Sequence, residues 1–459
     1  MVPDPFAMPL SRRRFAAASF GAVAGAHVGT GAAADAVLDA APPLAGGTLA
    51  EYAHAADEAT RLEPLADGVV GSTRWCTGRF VSQRWRDVEW THELSIVLPE
   101  RVEPGAPTIL WIDGGTSSRL PAEGLAGPTG AVATLAAVAA AAGLPAAVVR
   151  QVPYQPMFGG KVEDDLIAHT FEQFVRTGDE TWPLLLPMVK SAVTAMTAIG
   201  SEAARRWNHE IDRFVVTGAS KRGWTTWLSA AVDPRVTGLV PMVIDMLSME
   251  RHLELQEATF GGFSDELVDY TSRGIQKLIG SPRGRDLVSI VDPFGYRDRI
   301  VQPKLIALGT NDPYWPLEAL DLYYGGLDGP RWVSYAPNAG HDLPRERVLG
   351  LVAAMGRHAA GSERLPDVSW EIEEAGAGAA IRATADTPPA EVVLWTANSA
   401  TRDFRRAEWR SAAAERDGDG WRATVAPPDD GFAAGFVEMR FDRRPVPLFL
   451  TTGVRVVSA

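Results

Sequence analysis

Between residues 70 and 100 apolar side chains recur at close to every second position, among them Val81, Trp85, Val88, Trp90, Leu94, Ile96 and Leu98, with polar residues between. That period predicts strands with one buried face. From residue 108 the pattern changes to short unbroken apolar runs, at 108–112, 146–150, 214–217, 238–244, 304–308 and 331–335. Strands of a parallel sheet covered on both faces read this way. The stretches between them have helical patterns. Residues 130–142 are rich in Ala and Leu, 187–207 are amphipathic, and Glu163-Asp164-Asp165 stands ahead of an apolar run, where a helix N-terminus favours acids. The alternation predicts one doubly wound, mostly parallel α/β sheet. Residues 248–300 exceed what a crossover helix needs and read as a lid insertion. After residue 365 the apolar runs are short, at 368–372, 380–384, 392–395, 421–425 and 436–440, and are parted by Gly, Pro and Asp. They predict a small C-terminal β-sandwich over 366–459.

The run at 214–217 ends in Gly218-Ala219-Ser220-Lys221-Arg222-Gly223 and passes into a helical pattern. A strand, a Gly-flanked serine and a helix make a nucleophile elbow, which points to an α/β-hydrolase domain over 49–365 with Ser220 as nucleophile. The position two beyond the serine holds Arg222, and the glycine comes one place later at Gly223. A nucleophilic serine needs a base, and the base needs an orienting carboxylate. Three histidines follow Ser220. His341 sits in a Gly-containing loop after a strand, where this fold presents its base, whereas His252 and His358 fit packing or surface roles. Asp312 follows the strand at 304–308 and completes the chain order Ser, Asp, His; Asp245, at the end of the preceding strand, is the alternative acid. The Lys221 N–H and the Gly114-Gly115 loop are the candidate oxyanion hole. Tyr154 and Gln155, just past the strand at 146–150, are candidate substrate contacts together with Arg222. Arg222 reads equally well as the partner of a buried carboxylate, and Glu163-Asp164-Asp165 as a helix start or a binding site. Trp224 and Trp227 fit the core. Arg402, Asp403 and Arg405 fit an inter-domain ion network.

Composition narrows the function further. The chain has 459 residues, 46% of them hydrophobic, enough for two cores. Its net charge of −13 argues against a nucleic-acid partner. The single cysteine, Cys76, allows neither an internal disulfide nor a Cys-rich metal site, and no HExxH pair is present, so no metal or cofactor is expected. Ser11-Arg12-Arg13-Arg14-Phe15 precedes a weakly apolar Ala/Gly stretch. Residues 1–36 thus look like a twin-arginine export signal, with small residues at 32–36 offering cleavage sites. No stable membrane span is expected, and the expected location is periplasmic or extracellular.

With these motifs in hand, the chain resembles the PhoPQ-activated pathogenicity-related family from about Leu49 onward. The resemblance rests on Gly-Ala-Ser-Lys-Arg-Gly-Trp-Thr-Thr-Trp at 218–227, Glu-Asp-Asp-Leu-Ile-Ala at 163–168, Trp-Pro-Leu-Leu-Leu-Pro-Met-Val-Lys at 182–190, Pro-Asn-Ala-Gly-His at 337–341 and Arg-Asp-Phe-Arg at 402–405. It implies exported proteins with a hydrolase-like domain, a site at Ser220, Asp312 and His341, and a C-terminal β domain. Two positions depart from the family pattern: Pro153-Tyr154-Gln155-Pro156 replaces a Pro-Asn-Gln-Pro, and Gly309-Thr310-Asn311-Asp312 replaces a more acidic turn. The expected function is an exported serine hydrolase acting on an ester or amide bond of a small molecule or peptide through an acyl-enzyme. A serine peptidase of the same fold, or a non-catalytic binding or signalling protein on the same scaffold, are the alternatives.

Overall fold

The computed structural model of the chain describes residues 47–120 and 128–459. The expected export signal and its cleavage sites lie outside the described residues. An antiparallel meander of β1 (Arg61–Val70), β2 (Thr73–Trp85) and β3 (Val88–Pro99) leads into β4 (Thr108–Ile112), β5 (Ala146–Val149), β6 (Phe214–Ala219), β7 (Val236–Met242), β8 (Lys304–Gly309) and β9 (Arg331–Ala336). Their spatial order is β1-β2-β3-β5-β4-β6-β7-β8-β9. Every pair from β5 to β9 is parallel, and β3 meets β5 antiparallel. From β4 the chain turns one way to β5 and then crosses to β6 on the other side. At such a reversal the C-terminal strand ends open a crevice. This is the α/β-hydrolase architecture, and the unbroken apolar runs are its strands: β5 and β8 are buried throughout.

Helices cover both faces. They are α1 (Thr48–His54), α2 (Gly130–Ala142), α3 (Glu163–Thr177), α4 (Leu185–Trp207) and α5 (Lys221–Val232), then α6 (Met249–Phe260), α7 (Val268–Thr271), α8 (Ile275–Leu278) and α9 (Pro282–Val291) between β7 and β8, and α10 (Arg345–Ala359) after β9. One core contains Leu166, Met188 and Trp227, from α3, α4 and α5; the other contains Leu135 and Val352, from α2 and α10. Local signals fix the ends of α2: the Thr129 hydroxyl accepts the Val132 N–H, and Gly143 closes the helix in a left-handed conformation. The expected lid segment is helical, and α7, α8 and α9 pack on α3. Among the described residues no helix is long and apolar enough to cross a membrane.

The C-terminal strands are β10 (Val368–Ala375), β11 (Gly378–Ala385), β12 (Glu391–Ser399), β13 (Arg410–Ala413), β14 (Glu415–Asp417), β15 (Gly420–Val425), β16 (Phe432–Phe441), β17 (Leu448–Thr451) and β18 (Arg455–Ser458). They form two antiparallel sheets, β10-β11-β15-β14 and β17-β16-β12-β13, with β18 added to β16. Ile381, Ala383, Val425, Val437 and Met439 share one core between these sheets. The second sheet continues the hydrolase sheet, because Thr451 of β17 pairs with Val333 of β9.

Candidate active site

Ser220 lies between β6 and α5 with φ 57 and ψ −127, a backbone conformation that a non-glycine residue holds only when its surroundings enforce it. Its N–H donates to the Met242 carbonyl of β7 at 2.9 Å. The tightness of this turn explains the displaced glycine. A Cβ on Gly223 would lie 2.8 Å from both the Met242 oxygen and Ile244, and one on Gly218 would lie 2.8 Å from the Arg222 Cβ. Position 223, not 222, therefore faces the neighbouring strand. Lys221 opens α5, so its N–H has no carbonyl one turn back to bond, and it sits at the positive end of the helix dipole.

Two further strand ends bring an acid and a base together. His341, in the loop after β9, places Nδ1 2.9 and 3.1 Å from the two carboxylate oxygens of Asp312, in the loop after β8. Asp312 is buried, and its Oδ1 also accepts the Tyr314 N–H at 3.0 Å. The outer nitrogen of His341, Nε2, is screened from solvent and has no hydrogen-bond partner. The Tyr314 ring lies 4.5 Å from the imidazole, centroid to centroid. Asp245 is turned elsewhere: it accepts the Tyr323 hydroxyl at 2.7 Å. Burial pushes its carboxyl up to about 8, against the pull of Tyr323 and with help from nearby Asp312. Near pH 7 it is mostly a neutral acid and poorly suited to steady an imidazolium. The folded pKa lies above the unfolded one, so Asp245 makes the fold progressively less stable as pH rises from about 4 to about 8. Asp245→Asn removes that ionisation. Its melting temperature is expected to exceed wild type by more at pH 8 than at pH 5, and thermal unfolding at both pH values checks this.

The C-terminal sheets hold the loops of both residues. Asn311 Nδ2 donates to the carbonyls of Ala407 at 2.7 Å and Arg405 at 3.3 Å. Asn338 exchanges two hydrogen bonds with the main chain of Trp409. Arg402 pairs with Glu318, and Arg405 reaches Ser264 and the Pro313 carbonyl. This segment thus bridges the two domains beside Asp312 and His341.

A buried ion network ties the elbow to the Gly114-Gly115 loop. Arg222 makes a two-pronged contact with Glu163 at 2.7 and 2.8 Å and donates to the Val152 carbonyl. Gln155 donates to Glu163 and to the Gly115 carbonyl at 3.1 Å, and accepts the Glu163 N–H at 2.8 Å. Gly114 is pressed against Arg222, where a Cβ would lie 2.6 Å from the guanidinium. Arg222 and Gln155 are both buried and held by the Glu163 carboxylate, so of its two readings Arg222 takes that of a partner to a buried carboxylate, and neither residue lines the cavity at Ser220. Tyr154 is half-buried and packs on the core that holds α3, α4 and α5. Burial works against ionised Glu163, yet Arg222 and Lys221 hold its carboxyl well below the usual range. Burial likewise disfavours the Lys221 ammonium, and Asp164 and Glu163 raise it on balance.

Asp164, Tyr270 and Tyr314 complete the site; the sequence marked Asp164 as one of the acidic triplet and gave the two tyrosines no mark. Asp164 accepts hydrogen bonds from both tyrosine hydroxyls, at 3.0 and 3.2 Å, and from Lys221 Nζ at 3.4 Å. The acidic triplet does start α3, as a helix start would, but Asp164 also lines the cavity, while Glu163 holds Lys221 and Arg222. Ser220, Lys221, Asp164, Tyr270 and Tyr314 line a cavity of about 90 Å³ that is otherwise mainly apolar. His252, also at this cavity, bonds to Gln256 and lies edge-on to Trp315, and burial pushes its imidazole down to about 3, so it is neutral. A serine–histidine hydrogen bond elsewhere, Ser82 Oγ to His92 Nε2 at 2.9 Å, is fully buried. There the other ring nitrogen faces the Arg150 carbonyl rather than a carboxylate, and burial pushes the imidazole down to about 4. That pair serves packing between β2, β3 and α4. Among the described residues no group of three or more His, Cys, Asp or Glu is placed to hold a metal ion.

Solved structures similar to this chain include acetyl xylan esterase 1 from Thermoanaerobacterium sp., at 15% identity with a TM-score of 0.47 over 67% of this chain and 91% of that one. Another is a glucuronoyl esterase from Solibacter usitatus, at 14% identity with a TM-score of 0.37 over 66% of this chain and 90% of that one. A sequence relative is autocrine proliferation repressor protein A of Dictyostelium discoideum, 29% identical over 384 residues, which cover 77% of this chain and 76% of that protein. The model of the PhoPQ-activated pathogenicity-related proteins matches residues 49–405, and the chain belongs to that family.

Proposed function

We propose that the protein is a serine hydrolase that cleaves carboxylic esters, with amides as the harder substrates of the same machinery. The observation that carries this reading is the Asp312–His341 pair, set on adjacent strand ends of the sheet that also presents strained Ser220. In this reading His341 takes the Ser220 proton as Oγ attacks the carbonyl carbon, and Asp312 steadies the imidazolium. The Lys221 N–H and the Gly114-Gly115 loop hold the oxyanion. Collapse breaks the carbon–oxygen bond to the alcohol, which leaves with the proton from His341. Water then attacks the acyl-enzyme by the same route and releases the acid. An export signal at 1–36 would place this chemistry outside the cytoplasm.

The test is hydrolysis of p-nitrophenyl butyrate by wild type, Ser220→Ala and His341→Ala. Each variant is expected to lose at least about 10³-fold in kcat/KM. The name of the Dictyostelium relative favours a second reading, a signalling protein that keeps the scaffold without the reaction. A folded wild type no faster than Ser220→Ala would favour that reading.

A further inference from the structure

The cavity beside Ser220 is lined mainly by hydrocarbon. Its wall includes Phe171 of α3, Trp224 of α5, Met249 and Leu253 of α6, Ile275 of α8, and Ile279 just beyond it. Of the polar groups that line it, Asp164 already accepts from Tyr270, Tyr314 and Lys221, while Gln276 Oε1 and His252 Nδ1 have no hydrogen-bond partner. A ligand reaching past Ser220 therefore meets mainly apolar surface and gains by leaving water, and two unpartnered polar atoms do not replace the hydration that a charged or hydroxyl-rich group would lose there. Resting on the hydrolase reading, we infer that the substrate is an ester of a short, apolar carboxylic acid whose acyl chain enters this cavity.

The reaction geometry decides which half of the ester goes in. The alcohol oxygen has to reach Nε2 of His341 to collect its proton, so the leaving group belongs on the side of the β9 loop. No residue of that loop lines the cavity; its walls come from α3, α5, the helices after β7 and the loop after β8. The acyl substituent is what remains to fill it. A cavity of about 90 Å³ is smaller than the roughly 150 Å³ that accepts benzene in an engineered protein core, so it has room for roughly three to four non-hydrogen atoms. Butyryl and pentanoyl chains, with three and four carbons beyond the carbonyl, match that size. Acetyl leaves most of the cavity unfilled, and decanoyl overruns it.

The experiment is a p-nitrophenyl ester series from acetyl to decanoyl, run on the full chain with active sites counted by a fluorophosphonate. The expected kcat/KM peaks at butyryl or pentanoyl, at least about tenfold above both ends of the series. Ile275→Trp fills the cavity and is expected to cut the butyryl-to-acetyl ratio by about tenfold or more. Ile279→Ala enlarges it and moves the peak to longer chains, which covers the case in which the tryptophan variant does not fold. A flat series, a peak at acetyl, or an unmoved peak in a folded variant would overturn the inference while fluorophosphonate still labels Ser220. Absence of both labelling and turnover would instead remove the hydrolase reading, and this inference with it.

Discussion

Asp312→Asn is expected to lower kcat by about 10⁴-fold with the melting temperature near wild type. The asparagine keeps the shape of the side chain, and its amide oxygen can still accept the Tyr314 N–H that now bonds Oδ1. What changes is the group facing His341 Nδ1. With an amide N–H there, the imidazole carries its proton on Nε2, where it can no longer take one from Ser220. Asp245→Asn provides the contrast, because Asp245 bonds Tyr323 and is already mostly neutral near pH 7. Steady-state kinetics on the two variants separates the roles. A near-normal Asp312→Asn beside an inactive Asp245→Asn would move the acid to the earlier strand.

The second large effect is on stability. Glu163→Gln leaves Arg222 and Lys221, whose side chains are 5% and 7% exposed, without their shared carboxylate. Removing one partner of a fully buried pair typically costs about 3–5 kcal/mol. Glu163 itself is 36% exposed, so solvent screening reduces the expected loss to about 2–3 kcal/mol, read by urea unfolding at pH 7. The sign with pH follows from the lowered carboxyl of Glu163. Its contribution is present above the unfolded pKa near 4.5 and is lost as pH falls through the lower folded value. The gap between wild type and variant should therefore narrow in acid. Activity should fall too, chiefly in kcat, because Gln155 loses the carboxylate that helps fix the Gly115 loop. A loss under about 0.5 kcal/mol would mean that the network does not hold the elbow.

Much of this molecule is legible in its sequence because the signals are local. Buried parallel strands announce themselves as apolar runs, and α2 is bounded by Thr129 and Gly143, which act within one turn of the helix. Ser220 is visible because an elbow compresses strand, glycine and helix into ten residues. The rest depends on distant pairings. Glu163 and Asp164 look like helix-start acids, and nothing in their neighbourhood says that Arg222 and Tyr314 will fold against them. Arg222 offered two readings, and only the fold brings Glu163 to it. Tyr270 lies in short helical turns with no clear period, and the meeting of Thr451 with Val333 spans 118 residues. The glycine at 223 was visible, but its reason, the close approach of β7, was not.

Whether Ser220 is an activated nucleophile is read directly by treating the folded full chain with a fluorophosphonate and mapping the adduct by mass spectrometry, beside Ser220→Ala. The expected result is one adduct, on the Ser220 oxygen, absent from the alanine variant. An adduct at another residue, or none on a folded wild type that the same probe can enter, would contradict it.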